Sequence, residues 1–183
     1  MKDAISSPDD LICPARDIFD TTAVETALSK AVAAAEGDTM AIRHAAVTVL
    51  KKAMDEGREA IAQGFAAHPF AARPTVRAYS WLTDCIILGA LDVAVRHMHP
   101  LATPTESERI TVFAVGGYGR GEMAPQSDVD LLFLTPYKIT PWAESVIESM
   151  LYMLWDLKLK VGHASRTIRD CLRLGGEDFT IRT

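Results

Sequence analysis

Asp128 and Asp130 stand one residue apart in the run Ser127-Asp128-Val129-Asp130-Leu131-Leu132-Phe133-Leu134, whose apolar positions mark a strand. With a side-chain period of two, both carboxylates project from one face, and Val129 and Leu131 go into the core. Two like charges so placed repel unless a cation sits between them. Magnesium suits the position, because it takes hard oxygen ligands, keeps waters, and lets substrate phosphates complete its shell. Upstream, Gly116 and Gly117 follow a strand and precede a short helix, and residues without a Cβ let backbone N–H groups approach triphosphate oxygens. Arg120 either adds a charge-assisted contact to those phosphates or pairs with Glu122 or the aspartates to brace the loop. Ser127 caps the turn or touches phosphate. A lone Gly-Gly is ordinarily a tight turn and a lone Asp-x-Asp a solvated pair. Here the two occur together with Arg-Gly-Glu and Ser-Asp elements, which points to a metal-dependent nucleotide site.

These residues need a strand, a turn and a second strand to hold them. Ile110 to Val115 reads as a short buried strand, Gly116 to Ser127 as a glycine-rich turn with a short helix, and Val129 to Leu134 as the second strand. A helix is expected from Pro141 to about Leu157, a third strand from Leu159 to Arg166, and a helix from Thr167 to Leu174 ended by Gly175-Gly176. The first hundred residues read as helical after an aperiodic start over residues 1–20. Thr22 with Glu25 makes a capping-box pattern opening an Ala-rich helix that Gly37 ends. Val47, Leu50, Met54, Ile61 and Phe65 share a helical face between Ala41 and Phe65, and Tyr79, Leu82, Ile86 and Val93 share another between Thr75 and His97, with His68-Pro69 and Arg73-Pro74 breaking the chain between them. The prolines of the segment 99–104 place a boundary there. The expected organisation is a helical segment over 1–104 followed by an α/β core with a small mixed sheet over 105–183. The chain stops inside what reads as the start of another helix, so a fragment of a longer protein is expected.

At 183 residues, 49% hydrophobic and 23% charged, the chain is long enough to bury a real core. A net charge of -5 argues against a broad nucleic-acid surface, which needs clustered Lys and Arg. Cys13, Cys85 and Cys171 stand far apart with no CxxC pair, so neither a disulfide framework nor a zinc site is indicated. The start lacks a signal-like apolar stretch and no later run reaches the length needed to span a bilayer, so no membrane partner and a cytoplasmic location are expected.

The stretch GGYGRGEMAPQSDVDLLFL resembles the motif of the DNA polymerase β-like nucleotidyltransferase superfamily and, within it, of the bacterial PII uridylyltransferase/uridylyl-removing family. LWDLKLKVGHASRT and EDFTIRT look like further segments of that family, so the resemblance covers roughly residues 75 to 183. It implies a polymerase β-like core in which Asp128 and Asp130 hold Mg2+ and are catalytic, and Gly116, Gly117, Arg120 and Ser127 bind nucleotide. It also implies transfer of UMP from UTP to a tyrosine of the PII nitrogen-regulatory protein, with release of pyrophosphate. The HD-type phosphohydrolase and ACT domains usual in that family are absent from these 183 residues. Glutamine synthetase adenylyltransferases carry a Lys and a Gly-Gly-Glu-Leu run before their aspartates, where this chain has Gly119-Arg120-Gly121-Glu122.

One departure matters. Many superfamily members supply a third carboxylate from a later strand, and that strand here reads Lys160-Val-Gly-His-Ala-Ser-Arg166. Two aspartates suffice, or Asp156, Asp170 or Asp178 reaches the site, or a water and His163 replace the ligand. His163 is also a candidate general base, with a hydrogen-bonded structural role as the alternative. His97 and His99 read as the polar end of a helix before Pro100, and Trp142, Tyr152 and Trp155 as core packing on an amphipathic helix. The rival reading of the whole is a regulatory module that keeps the fold and binds nucleotide without catalysis; an adenylyltransferase of the same superfamily is another.

Overall fold

A computed structural model describes residues 8–177. Within these residues, seven α-helices and a three-stranded sheet follow in order as α1 (Ala15–Ile18), α2 (Thr21–Ala33), α3 (Thr39–Ala67), α4 (Ala72–Val93), β1 (Thr111–Ala114), α5 (Gly116–Gly119), β2 (Val129–Thr135), α6 (Pro141–Asp156), β3 (Val161–Thr167) and α7 (Ile168–Glu177). A π turn, Ala94–Met98, prolongs α4, and a 3₁₀ turn, Glu106–Glu108, leads towards β1. The result is the expected mixed architecture: helices first, then a small mixed sheet.

Helix boundaries follow side-chain caps. Asp20 starts α2 by accepting from Ala23 N at 3.0 Å, so the cap lies two residues before the expected Thr22. The helix closes at Ala33, ahead of Gly37; Gly37 sits at φ +81 in the turn beyond it, and Asp38 then caps α3 by accepting from Met40 N and Ala41 N. The capping box instead belongs to Thr105 and Glu108, whose side chain accepts from Thr105 N at 3.0 Å. Arg73-Pro74 does not break the chain, because Pro74 lies in the first turn of α4, where its missing N–H costs nothing. Residues 8–20 are more ordered than their lack of periodicity suggests, since α1 buries Ile18, and Phe19 follows it into the core.

Leu50, Met54 and Ile61 of α3 and Leu82, Ile86 and Val93 of α4 form the centre of the core as their spacing predicts, whereas Phe65 is exposed. The same buried cluster takes in Val129, Leu131 and Phe133 of β2 and Met150, Met153 and Leu154 of α6. Apolar packing therefore runs continuously from the helical half into the sheet. From Ala72 to Met98 the chain forms a helical stretch long and apolar enough to cross a membrane, contrary to the expectation that no run reaches that length. Of its most apolar window, 61% is buried inside the fold. Length and hydropathy here reflect a helix surrounded by protein on several sides.

In the sheet, β2 is central, antiparallel to β1 and parallel to β3. The expected buried strand β1 is an edge strand whose residues are exposed or half-buried, because Phe113 and Thr111 face away from the helices. On β2 the alternation is strict: Val129, Leu131, Phe133 and Thr135 are buried, and Asp130, Leu132 and Leu134 belong to the open face. Within the described residues α7 runs through Gly175 and Gly176 and is not ended by them.

Candidate active site

The candidate site lies on the open face of β2. Asp128 is exposed just before the strand and Asp130 is half-buried within it. Backbone bonds fix the strand on both sides: Val115 N donates to Asp130 O at 3.0 Å and Val129 N donates to Lys160 O at 2.7 Å. Neither carboxylate has a hydrogen bond or ion pair with another described residue.

Two glycines leave room around Asp130. Gly116 turns the chain out of β1 at φ +62, and a Cβ there would lie 3.1 Å from Asp130 Oδ2. Gly162 pairs with Asp130 across the parallel ladder, and a Cβ there would overlap Asp130 Oδ1 outright. Gly117 differs from Gly116. Its φ is not positive, and a Cβ would meet only Arg120 Nη2 at 3.9 Å, so it borders open space. A third steric constraint is at Gly119, where a Cβ would press on Ala114 O at 2.6 Å.

Arg120 pairs with Glu122 at 2.9 Å, the bracing arrangement among those open to it. This exposed pair is worth little as stability. Ser127 closes its turn, with its Oγ accepting from Ala124 N at 2.9 Å and its own N–H donating to Ala124 O at 3.0 Å.

The candidate third ligands go elsewhere. Asp156 accepts from Arg43 Nε at 2.9 Å, and Asp170 accepts from Thr167 Oγ1 at 2.6 Å, which, with Thr167 N–H, holds its carboxyl below the ordinary carboxylate value. Asp178 lies outside the described residues. His163 pairs with Leu131, so it lies on the sheet face opposite Asp130, edge-on to Phe133 with ring centroids 6.4 Å apart. That placement removes it as a bridge or base beside Asp130, since neighbouring strand positions point to opposite sides. Beside the carboxylate stands Gly162 in place of an acid. Among the described residues no three His, Cys, Asp or Glu gather as a metal cluster.

Of the remaining side chains singled out by sequence, His99 and Trp142 hold structural contacts. His99 Nε2 is 2.8 Å from Ser149 Oγ, and His99 O accepts from Trp142 Nε1 at 2.8 Å. Tyr152 and Trp155 are not core residues: they are 42% and 44% exposed, packed edge-to-face at 5.6 Å, with the Arg43 guanidinium 5.1 Å over the Tyr152 ring. Their helix runs on the core side of the sheet, away from the face of Asp130.

Sequence reasoning missed the anchor of the glycine loop. Tyr118 is 5% exposed, and its hydroxyl donates to Asp84 Oδ1 of α4 at 2.6 Å. Burial raises the Asp84 carboxyl above its ordinary value, partly offset by that hydrogen bond. Burial and the Asp84 charge together push the Tyr118 hydroxyl well up. Burial, aided by the same charge, lifts the neighbouring Cys85 thiol to about 12. A large aromatic set among three glycines was the available signal.

A family model described as glutamate-ammonia ligase adenylyltransferase matches residues 8–160. Among curated proteins, the bifunctional uridylyltransferase/uridylyl-removing enzyme of Ruegeria pomeroyi is 64% identical over 166 residues, which is 91% of this chain and 18% of the relative. The protein of the same name from Cereibacter sphaeroides is 58% identical over 174 residues, 94% of this chain and 19% of the relative. That from Phenylobacterium zucineum is 49% identical over 166 residues, 91% of this chain and 18% of the relative. The chain thus spans about a fifth of the length of these relatives. No solved structure matches it.

Proposed function

The chain belongs to the nucleotidyltransferase family described as glutamate-ammonia ligase adenylyltransferase, and from that premise and the relatives' shared name we propose that it transfers UMP from UTP to a tyrosine of a PII signalling protein in the cytoplasm. No nucleic-acid or membrane partner enters this reading. The observation that carries it is the pair Asp128 and Asp130 beside a glycine turn, with Gly116 and Gly162 keeping the space around Asp130 clear.

The residues fit a magnesium ion. Two carboxylates without competing partners among the described residues supply hard oxygen donors, and a Cβ at 116 or 162 would crowd one of them. When bound, the ion neutralises triphosphate charge and polarises the α-phosphate. The chain's own contributions are positional. Asp128 and Asp130 would hold that ion, and the absence of side chains at Gly116 and Gly117 would let their backbone N–H groups approach the phosphates. Arg120, held by Glu122, stands beside Gly117 to add charge, and Ser127 keeps the turn before Asp128 closed. The acceptor hydroxyl attacks the α-phosphorus, the new P–O bond forms, the bond to pyrophosphate breaks, and the hydroxyl's proton passes to solvent water.

Two other readings have a specific observation behind them. Adenylyl transfer draws on the family model's description, against which stand the uridylyltransferase relatives and the Gly119-Arg120-Gly121-Glu122 run. Nucleotide binding without catalysis draws on β3, the later strand beside Asp130, carrying no acid. The test is pyrophosphate release by the full-length protein with magnesium and purified PII protein, comparing UTP with ATP. Release with UTP supports uridylyl transfer; release with ATP alone selects adenylyl transfer; binding of either without release selects the regulatory module.

A further inference from the structure

We propose that Asp84 is a positioning residue for the glycine loop, acting through Tyr118, with Ser80 holding the far end of the same loop; this rests on the nucleotidyl-transfer reading of that loop. Four residues, Gly116–Gly119, make α5, three of them glycine. So short and glycine-rich a turn has no stability of its own, because nucleation is unfavourable and glycine loses the most backbone freedom on ordering. Its geometry must be imposed from outside.

Both restraints come from one face of α4. Asp84 Oδ1 accepts from the Tyr118 hydroxyl at 2.6 Å, the length of a charge-assisted O–H···O bond. Ser80, one turn earlier on that face, accepts from Met123 N at 3.4 Å while its own hydroxyl donates to Val76 O at 3.0 Å. Tyr118 and Met123 are 5% and 4% exposed, so each restraint is seated in the core, and the segment between them carries Arg120 and Glu122 outward to solvent. Gly116, two residues before Tyr118, lies beside Asp130, so the loop that Tyr118 anchors borders that carboxylate.

Stability alone does not account for this pair. A buried carboxyl is costly, and an apolar pair of the same volume would hold two elements together equally well. A directional bond to a fixed oxygen instead sets where the tyrosine, and with it the glycine backbone, must stand.

The experiment compares the full-length wild type with Tyr118→Phe, Asp84→Ala, Asp84→Asn and the double variant Asp84→Ala/Tyr118→Phe. Steady-state kinetics are run with magnesium-UTP and PII protein, and hydrogen exchange is followed at the Gly117 to Gly119 amides without nucleotide. Tyr118→Phe and Asp84→Ala are each expected to raise KM for UTP about tenfold and to speed loop exchange, with the double variant no worse than the worse single. Asp84→Asn keeps an acceptor oxygen and is expected to restore most of the affinity. Single variants that melt earlier yet keep wild-type KM and loop exchange overturn the proposal, as does a double variant whose losses multiply. A wild type that transfers no UMP refutes the uridylyltransferase reading instead, and the exchange measurement alone then decides whether Asp84 orders the loop.

Discussion

Replacing Gly162 with alanine separates the site's chemistry from its fold. An alanine Cβ would overlap Asp130 Oδ1, and restoring ordinary van der Waals contact moves that oxygen by about 1 Å. Asp130 can yield by turning its carboxylate off its preferred rotamer, at roughly 0.5–1.5 kcal/mol. The glycine-to-alanine change in a strand returns about 0.5–1 kcal/mol, because alanine has less freedom to lose on folding. The two nearly cancel, so unfolding free energy is expected to change by less than about 1 kcal/mol. A 1 Å displacement of a group that positions the reacting phosphate costs about a hundredfold in rate. Gly162→Ala should therefore lose around two orders of magnitude in kcat/KM for UTP while its urea midpoint stays near wild type. Denaturant unfolding and pyrophosphate release on one preparation of full-length protein measure both. Wild-type turnover in a normally folded Gly162→Ala variant would falsify the assignment of Asp130 to the reacting centre.

Further expectations follow from neighbouring groups. Gly116→Ala forces a Cβ into φ +62 and should cost roughly 1–2 kcal/mol of stability, whereas Gly117→Val, which meets only Arg120, should cost under about 1 kcal/mol yet raise KM for UTP several-fold; equal thermal shifts in the two would contradict this ranking. With its thiol lifted to about 12 and its side chain buried, Cys85 should resist iodoacetamide at mildly alkaline pH until the protein unfolds, which peptide mapping detects. Burial raises the folded-state Asp84 carboxyl above its ordinary 3.8, so the stability tied to its protonated form is full below that value and is lost as pH rises through the raised one. Asp84→Asn cannot ionise, so its melting temperature should fall less than that of the wild type over that rise; parallel curves would contradict this.

What could be read from sequence was whatever is local. The alternation from Val129 to Phe133 predicts strand, face and burial together, because a period of two leaves one arrangement with the apolar set inside. Helices α3, α4 and α6 are legible for the same reason at a period of 3.6. Caps were less legible: Asp20 and Thr22 are both good N-cap residues, and the outcome depends on where Ile18 and Phe19 bury the preceding chain. The open side of β1, the outward Tyr152 and Trp155, and the buried course of the Ala72–Met98 stretch depend on which elements neighbour them. Least visible were contacts between distant positions. Tyr118 finds Asp84 across 34 residues, and Gly162 finds Asp130 only because β3 pairs in parallel with β2. The alternative in which His163 stands in for a missing acid, one of several the sequence left open, fails on register: one position along a strand reverses the face.

If Asp128 and Asp130 carry uridylyl transfer to a protein acceptor, the mass of that acceptor reports it. PII protein incubated with magnesium, UTP and the full-length enzyme is measured intact by mass spectrometry, with Asp128→Asn and Asp130→Asn compared at equal concentration and confirmed fold. A gain of one UMP per modified tyrosine is expected with the wild type and none with either variant. An unmodified acceptor with the wild type, or equal modification by either variant, contradicts it.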